Sequence, residues 1–320
     1  MRGKVKVAAV LTALWMLSGA VEASGITWEE IWQDRVREIN SDLRPGVPTA
    51  DIGIYLPSNL DTGFAVRFSA DALLEEVVTA KKVFAEAGVQ LNLLWVRTGR
   101  IPEQYLEIQA NDLSRETPAS DYVNLYVDAV RQRSGLSAEA REAFEAIIEP
   151  HPDNDRTIYI VILQNVFMSF YERVDERSWQ VRTIRTGGLS FPSYSYIDMP
   201  RRLRGVITVS RNDAQRKVVA HELGHKLLNV SHEYRDIDPQ HEVRAEGGLM
   251  LYGAGTAIES GPEGRWHRER LHLSPYLYRL SADGTKIWNA DYQEGGHYYD
   301  PIYGDKVVHF DPRPHKPDGH

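Results

Sequence analysis

The sequence predicts an α+β fold built on a mixed, mostly parallel sheet, and three patterns support this prediction. A strand, a long helix and a second strand follow one another within residues 51–96. The run at 157–163 is almost entirely apolar, which is typical of a strand buried on both faces of a sheet. Residues 205–228 contain a short strand, polar capping residues and a helical pattern. Strands that alternate with helices in this way indicate crossover connections between parallel strands.

Each element of the first half is predicted from its periodicity and from the turn residues that bound it. Gly88 ends the second helical pattern, and the stretch 98–156 is interpreted as an insertion between core strands. The predicted elements are a helix at 28–39, a strand at 51–56, a helix at 70–87, a strand at 89–96, and short helices at 121–131 and 137–148 within the insertion.

The second half is predicted on the same grounds. Pro192 lies inside the strand pattern 188–197 and indicates a strand at a sheet edge, because proline cannot donate to a neighbouring strand. Ser274 and Pro275 predict the start of a last helix. The predicted elements are strands at 157–163, 188–197 and 205–210, and a helix at about 214–228.

The first residues are typical of an export signal. Arg2, Lys4 and Lys6 precede an uncharged apolar run, and residues 21–23 fit the small-x-small cleavage rule. The run is shorter than the ~20 residues that span a bilayer, which disfavours an uncleaved anchor. We therefore predict a signal peptide at 1–23, a secreted or periplasmic protein, and no stable membrane association after cleavage.

The composition excludes several classes of function. The 320-residue chain has a net charge of −8, which disfavours nucleic acid as a partner because phosphate binding requires a basic surface. The absence of cysteine excludes disulfides, cysteine nucleophiles and thiolate metal sites. Any metal must therefore be bound by His, Asp, Glu or water. No EF-hand or glycine–aspartate repeat indicates calcium, and no pattern indicates an oligomeric state.

The residues that carry chemistry are concentrated at 219–232, VAHELGHKLLNVSH. His221 and His225 lie four apart on a predicted helix, so both imidazoles leave the same face at a spacing that can bind one zinc ion. Glu222 is displaced around the helix and can approach a metal-bound water without coordinating the metal. Three protein ligands and a water form the open arrangement of a catalytic zinc. We predict one zinc per chain, with Glu222 as the general base that prepares the water to attack a carbonyl carbon.

The third ligand is expected after this helix. Asn229 accepts the left-handed conformation that ends a helix, and the chain can then bring His232 back to the metal. A glutamate ligand on a later helix would make the protein similar to gluzincin peptidases, but the glycine pair at 247–248 disfavours a helix there. The alternatives to His232 are three side chains further along the chain: His241, Glu242 and Glu246.

The helix motif and the turn GGLMLYG at 247–253 together resemble the metzincin clan of zinc endopeptidases. Members of that clan carry HExxHxxGxxH followed by a methionine-containing turn. The resemblance implies that Met250 is the turn methionine. It also implies that Tyr252, in the Met-x-Tyr spacing of astacin-like and serralysin-like members, assists the oxyanion. For the fold it implies a twisted sheet with an antiparallel edge strand beside the cleft, a long active-site helix and a small irregular C-terminal subdomain.

The sequence departs from the clan's motif at two positions. Leu228 occupies the glycine position, and Asn229 follows it. Ser231 occupies the third-ligand position, and the histidine comes one residue later. We interpret this as a turn expanded by one residue, in which Asn229 takes the role of the glycine. The resemblance is sharp over 219–253 and topological over 51–210.

The sequence therefore predicts a secreted zinc endopeptidase that acts on protein or peptide substrates. Its catalytic domain is expected at 24–320, with an upper part at about 51–229 and a lower part at about 230–320. One alternative is a non-catalytic binding or structural protein in which the HExxH motif is fortuitous or degenerate. The presence of Glu222 disfavours degeneracy. A second alternative is a zinc hydrolase that acts on a non-peptide amide.

Overall fold

The computed structural model describes residues 25–61, 69–112, 135–151, 156–175, 179–190, 200–210, 217–228, 248–250, 257–258 and 265–290. The predicted signal peptide and the predicted helix at 121–131 lie outside these ranges. Within them, no helix combines the length and the apolar character needed to cross a membrane.

The described residues form a mixed α/β structure with five helices. The helices are α1 (Gln33–Ile39), α2 (Ala70–Glu86), α3 (Ala138–Ile147), α4 (Val218–Leu228) and α5 (Arg265–His272). The strands are β1 (Glu29–Ile31), β2 (Thr49–Pro57), β3 (Gln90–Gly99), β4 (Glu107–Gln109), β5 (Asn111–Asp112), β6 (Gly135–Leu136), β7 (Ile158–Ile162), β8 (Asn165–Arg173), β9 (Trp179–Thr186), β10 (Gly188–Ser190), β11 (Val206–Val209), β12 (Leu277–Leu280) and β13 (Lys286–Trp288).

The main sheet is mostly parallel, as the sequence predicts. Its path is β1-β3-β2-β7-β11-β10, and the four inner strands are parallel to one another. Every residue of β7 is buried, which confirms the central strand predicted from the apolar run. The two ends of the path are antiparallel, β1 to β3 and β10 to β11. The strand pattern at 188–197 therefore begins at a sheet edge, and its residues 191–197 lie outside the described ranges.

Two long helices pack against each other on this sheet. The Ser69 hydroxyl accepts a hydrogen bond from the backbone N–H of Ala72 and caps α2, and Gly88 follows its end with φ of 78°. Five side chains of the predicted apolar face of α2 are buried: Leu73, Leu74, Val77, Val83 and Phe84. α4 contacts α2, β10 and β11. The position of α4 is therefore fixed from the sheet and from α2 together.

The insertion at 98–156 contains elements that the sequence predicts only in part. Ser137 caps α3 by accepting a hydrogen bond from the N–H of Ala140, which confirms the helix predicted at 137–148. β4 of the insertion pairs with β8, which lies after the insertion and forms a long antiparallel hairpin with β9. This hairpin is not predicted from the sequence.

Two predicted helices are corrected by the structure. Residues 28–39 form β1 and the shorter helix α1, because Trp32 between them has a left-handed φ of 55°. Ser274 and Pro275 do not open a helix. The Ser274 N–H donates to the Leu271 carbonyl, and the Leu277 N–H donates to the Ser274 carbonyl. The chain then enters β12.

The C-terminal hairpin of β12 and β13 belongs to the main sheet. β12 pairs antiparallel with the start of β2, so residues 277–288 extend the main sheet. The carboxylate of Asp51 on β2, with 2% of its side chain exposed, anchors the hairpin. It accepts hydrogen bonds from Tyr278 Oη (2.9 Å), Asn92 Nδ2 (2.8 Å) and Lys286 Nζ. Burial and the adjacent Asp51 carboxylate raise the pKa of Tyr278, so its hydroxyl stays a donor.

We predict that Tyr278→Phe lowers the free energy of unfolding by about 1–3 kcal/mol, because Asp51 stays buried with one donor fewer. The matched control is Tyr105→Phe, which removes a hydroxyl 2.7 Å from the exposed carboxylate of Glu142. Water can replace that donor, so the control should cost about half as much or less. Urea unfolding of the two variants measures both values. Equal losses would contradict a role of Asp51 as a buried anchor.

Candidate metal centre

The two histidines of the motif lie on α4, as predicted. The described helix begins at Val218 and is preceded by Lys217 with φ of 49°, and the N–H of His221 bonds the carbonyl of Lys217. The predicted start at about 214 lies within 211–216, outside the described residues. The ring centres of His221 and His225 are 4.7 Å apart, with their planes at 85°. The helix therefore presents two imidazoles one turn apart on one face.

A backbone carbonyl defines the protonation of the first histidine. His221 Nδ1 lies 2.7 Å from the carbonyl oxygen of Leu249. Because a carbonyl only accepts hydrogen bonds, Nδ1 carries a proton, and in the neutral imidazole Nε2 then carries the lone pair. A metal-ligating histidine is typically held in this way, with its second ring nitrogen bonded to a carbonyl or carboxylate.

The turn that supplies this carbonyl also supplies Met250, which packs directly against α4. A Cβ on Gly224 would lie 2.6 Å from Met250 Sδ and 2.9 Å from Leu249 Cδ2. Met250 is buried, with 1% of its surface exposed. The turn can approach α4 this closely because the helix carries a glycine between its two histidines. The structure thus packs Met250 against α4 at Gly224, which lies between the two histidines in the sequence.

Glu222 is buried between α4 and the edge strand β10. A Cβ on Gly188 would lie 2.6 Å from Glu222 Oε1, so only glycine leaves room for the carboxylate at this point of β10. Burial raises the pKa of Glu222 to about 8, while the charge of Lys226 and a hydrogen bond from the Ser190 N–H act in the opposite direction. Glu222 Oε2 makes no hydrogen bond to the described residues. One carboxylate oxygen is therefore available to a group that is not part of those residues.

Lys226 is a site residue that the sequence analysis missed. It lies one turn after Glu222 and is almost completely buried, and its Nζ donates to the carbonyl of Arg204, 2.5 Å away. Burial lowers the pKa of Lys226 to about 7, and the Glu222 carboxylate acts in the opposite direction. The one available signal was a lysine on the apolar face of a helix, four residues after a glutamate.

The remaining predicted site residues lie outside the described ranges. Among the described residues, no group of three or more His, Asp or Glu side chains could hold a metal ion. The described residues therefore contain the part of the candidate metal centre that lies on α4 and on the turn 248–250. The residues outside the described ranges are Asn229, Ser231, His232, Tyr252 and the alternative ligands His241, Glu242 and Glu246.

The side chains of α4 fit a zinc ion. Two imidazoles that bind one zinc through nitrogens at about 2.0–2.1 Å have ring centres roughly 5 Å apart, close to the separation of His221 and His225. Neutral imidazole nitrogens are donors that zinc prefers. The unpartnered Oε2 of Glu222 matches a base that needs a water molecule beside it. The fit therefore rests on the ligand atoms, on the protonation of His221 and on the spacing of the two imidazoles.

Comparison of the chain with protein-family models finds no match, and comparison with curated proteins finds no relative. The functional proposal therefore depends on the residues and on their geometry.

We predict that Gly224→Ala lowers the free energy of unfolding by about 1–3 kcal/mol, because its methyl group overlaps Met250 Sδ. Met250→Ala alone should cost about 2–5 kcal/mol through the cavity it leaves. In the double variant the new methyl occupies part of that cavity, so the two losses should fall short of additivity by about 1 kcal/mol or more. Denaturant unfolding of the three variants measures this coupling, and strict additivity would contradict the contact between turn and helix.

Proposed function

We propose that the protein is a secreted zinc endopeptidase of metzincin type. The observation that carries the proposal is the hydrogen bond between His221 Nδ1 and the Leu249 carbonyl. It leaves Nε2 as the nitrogen with the lone pair, on a helix whose next turn presents a second imidazole 4.7 Å away. The buried methionine of the same turn and the parallel sheet with its antiparallel edge strand give further support.

The residues that would hold the metal are His221, His225 and His232. When bound, zinc would lower the pKa of a coordinated water and polarise the carbonyl of a peptide bond. The two helix histidines supply neutral nitrogens and therefore no negative charge, which leaves the metal strongly electrophilic. His232 is assigned from the sequence alone.

Glu222 is the residue that would accept the proton. Burial has the largest effect on Glu222 and raises its pKa, while the charge of Lys226 and the Ser190 N–H on β10 act in the opposite direction and favour the ionised form that a base requires. Burial favours the protonated form, so the acid that results is stable enough to return its proton to the leaving amine. Met250 packs against α4 at Gly224 and supports the helix. Tyr252 is proposed to donate a hydrogen bond to the oxyanion.

The edge strand β10 would align the substrate. β10 pairs with β11 on one side, and the Gly188 backbone contacts Glu222. An extended peptide adds to such an edge through main-chain hydrogen bonds, which brings its backbone carbonyls next to the base. This arrangement favours protein or peptide substrates over a small non-peptide amide.

We predict that the purified protein binds close to one zinc per chain and cleaves peptides. His221→Ala and His225→Ala should both remove the metal, because each deletes a ligand. Glu222→Gln is the matched control on the same helix. It should keep zinc and fold but lose ~10²-fold or more in turnover, because an amide cannot accept the proton. Metal analysis and digestion of a peptide library measure both properties.

Two outcomes would contradict this proposal. Stoichiometric zinc in both histidine variants would show that the metal lies elsewhere. A wild-type protein that binds zinc but leaves every peptide intact would favour the non-catalytic alternative.

The third ligand gives a separate prediction, because here the sequence departs from the clan. His232→Ala should weaken zinc binding severely, whereas Ser231→Ala should leave it nearly unchanged. Competition with a chelator measures the two affinities. If Ser231→Ala weakened zinc binding and His232→Ala did not, the third ligand would be Ser231, the residue at the clan's usual position. Loss of zinc on substitution of Glu242 or Glu246, with His232→Ala harmless, would favour the gluzincin-like alternative.

A further inference from the structure

Arg270 is a buried arginine that packs against the C-terminal end of α4. Arg270 belongs to α5, and 3% of its surface is exposed. Its Nε donates to the carbonyl oxygen of Leu228, 2.9 Å away. Leu228 is the last residue of α4 within the described ranges, and the sequence predicts the end of the helix at this point. A cation from a distant part of the chain therefore binds the end of the helix that carries the HExxH motif.

Physical chemistry favours this contact at this point. The last four carbonyls of a helix lack donors within the helix and need partners from elsewhere. The same end carries the negative pole of the helix dipole, so a guanidinium there satisfies a carbonyl and compensates the dipole together. Both effects are strengthened by burial, because water competes less for the carbonyl.

α5 is itself held in place, which makes Arg270 a fixed anchor. His272, at the end of α5, lies with Nε2 2.9 Å from the carbonyl of Ala87, directly after α2. The Asn289 side chain donates to the carbonyls of His272 and Ser274, at 2.9 and 2.8 Å. One short basic helix thus bonds the C-terminal ends of both long helices, α2 through His272 and α4 through Arg270.

The anchored end adjoins the proposed metal ligands on both sides. His225 lies in the last turn of α4, three residues before Leu228. His232 comes four residues after Leu228, a stretch that spans at most about 14 Å when fully extended. The position of the Leu228 carbonyl therefore limits the last turn of α4, which carries His225.

We propose that Arg270 is a positioning residue of the metal centre, which holds the last turn of α4 so that His225 is oriented towards zinc. The assignment of zinc rests on the proposed function. The capping of α4 by Arg270 is a property of the metal-free chain and is measured separately. Arg270 does not touch the reacting atoms and acts through the helix end.

The experiment compares Arg270→Met, Arg270→Lys and Arg268→Met in the full-length protein. Arg268 lies on the same helix but on a less buried face, so its variant controls for loss of a positive charge from α5. Zinc affinity is measured by competition with a chelator. Backbone amide hydrogen exchange of the metal-free protein is measured at residues 225–228 and, as a reference, at β7.

In Arg270→Met, zinc affinity should fall about 10–100-fold, the usual effect of removing a partner that orients a metal ligand. The amides at 225–228 should exchange at least about tenfold faster, while those of β7 stay unchanged. Arg270→Lys should fall between Arg270→Met and the wild type, because it keeps the charge but not the planar fork. Arg268→Met should stay within about twofold of the wild type in both measurements.

Wild-type zinc affinity together with wild-type exchange at 225–228 in Arg270→Met would overturn the proposal. Faster exchange of β7 and α4 alike in both Arg270 variants would also overturn it, because the arginine would then serve the whole fold. A wild-type protein that binds no zinc would refute the proposed function, and the exchange data alone would then decide whether Arg270 caps α4.

Discussion

Two ionisable side chains buried one turn apart on α4 constrain everything that packs around this helix. Glu222 and Lys226 are both almost fully buried, and a buried charge is tolerated only when it has partners. The partners come from different elements: the Ser190 N–H from β10 and the Arg204 carbonyl from the turn before β11. A sliding or rotating α4 would lose both at once. The helix therefore has one orientation relative to the edge of the sheet.

This single orientation determines where the histidines lie. With Glu222 turned towards Gly188, the face that carries His221 and Gly224 meets the turn at 248–250. The Leu249 carbonyl then sets the tautomer of His221, and Met250 fills the space left by the glycine. A buried ionisable pair on one face of α4 and a close-packed turn on another thus fix the orientation of the helix, and the turn also orients the His221 imidazole. Precise orientation of this kind is what a metal site requires of its scaffold.

The sequence predicts the local features of this structure well and the distant contacts poorly. Ser137 and the apolar run of β7 carry local signals, and both predictions are confirmed. The pairing of β12 with β2 joins Leu277 to Ala50, far apart in the chain, and no local pattern specifies such a partner. The contact between Arg270 and the Leu228 carbonyl is hidden for the same reason.

The candidate site shows the same division. The spacing of His221, Glu222 and His225 on a helix follows from the sequence, because helical geometry converts spacing directly into a shared face. The roles of Gly188 and Lys226 are recognised only in the folded chain, where β10 and the turn before β11 pack against α4. Their sequence neighbours do not reveal that a carboxylate lies 2.6 Å from the position of a Cβ on Gly188.

X-ray absorption at the zinc edge of the purified wild-type protein is the most direct test of the proposed zinc site, because it reports the ligands of the metal without any substitution. We expect one zinc per chain with three imidazole nitrogens and one oxygen at about 2.0–2.1 Å. A spectrum with fewer than two imidazoles, or a protein that retains no zinc, would contradict this expectation.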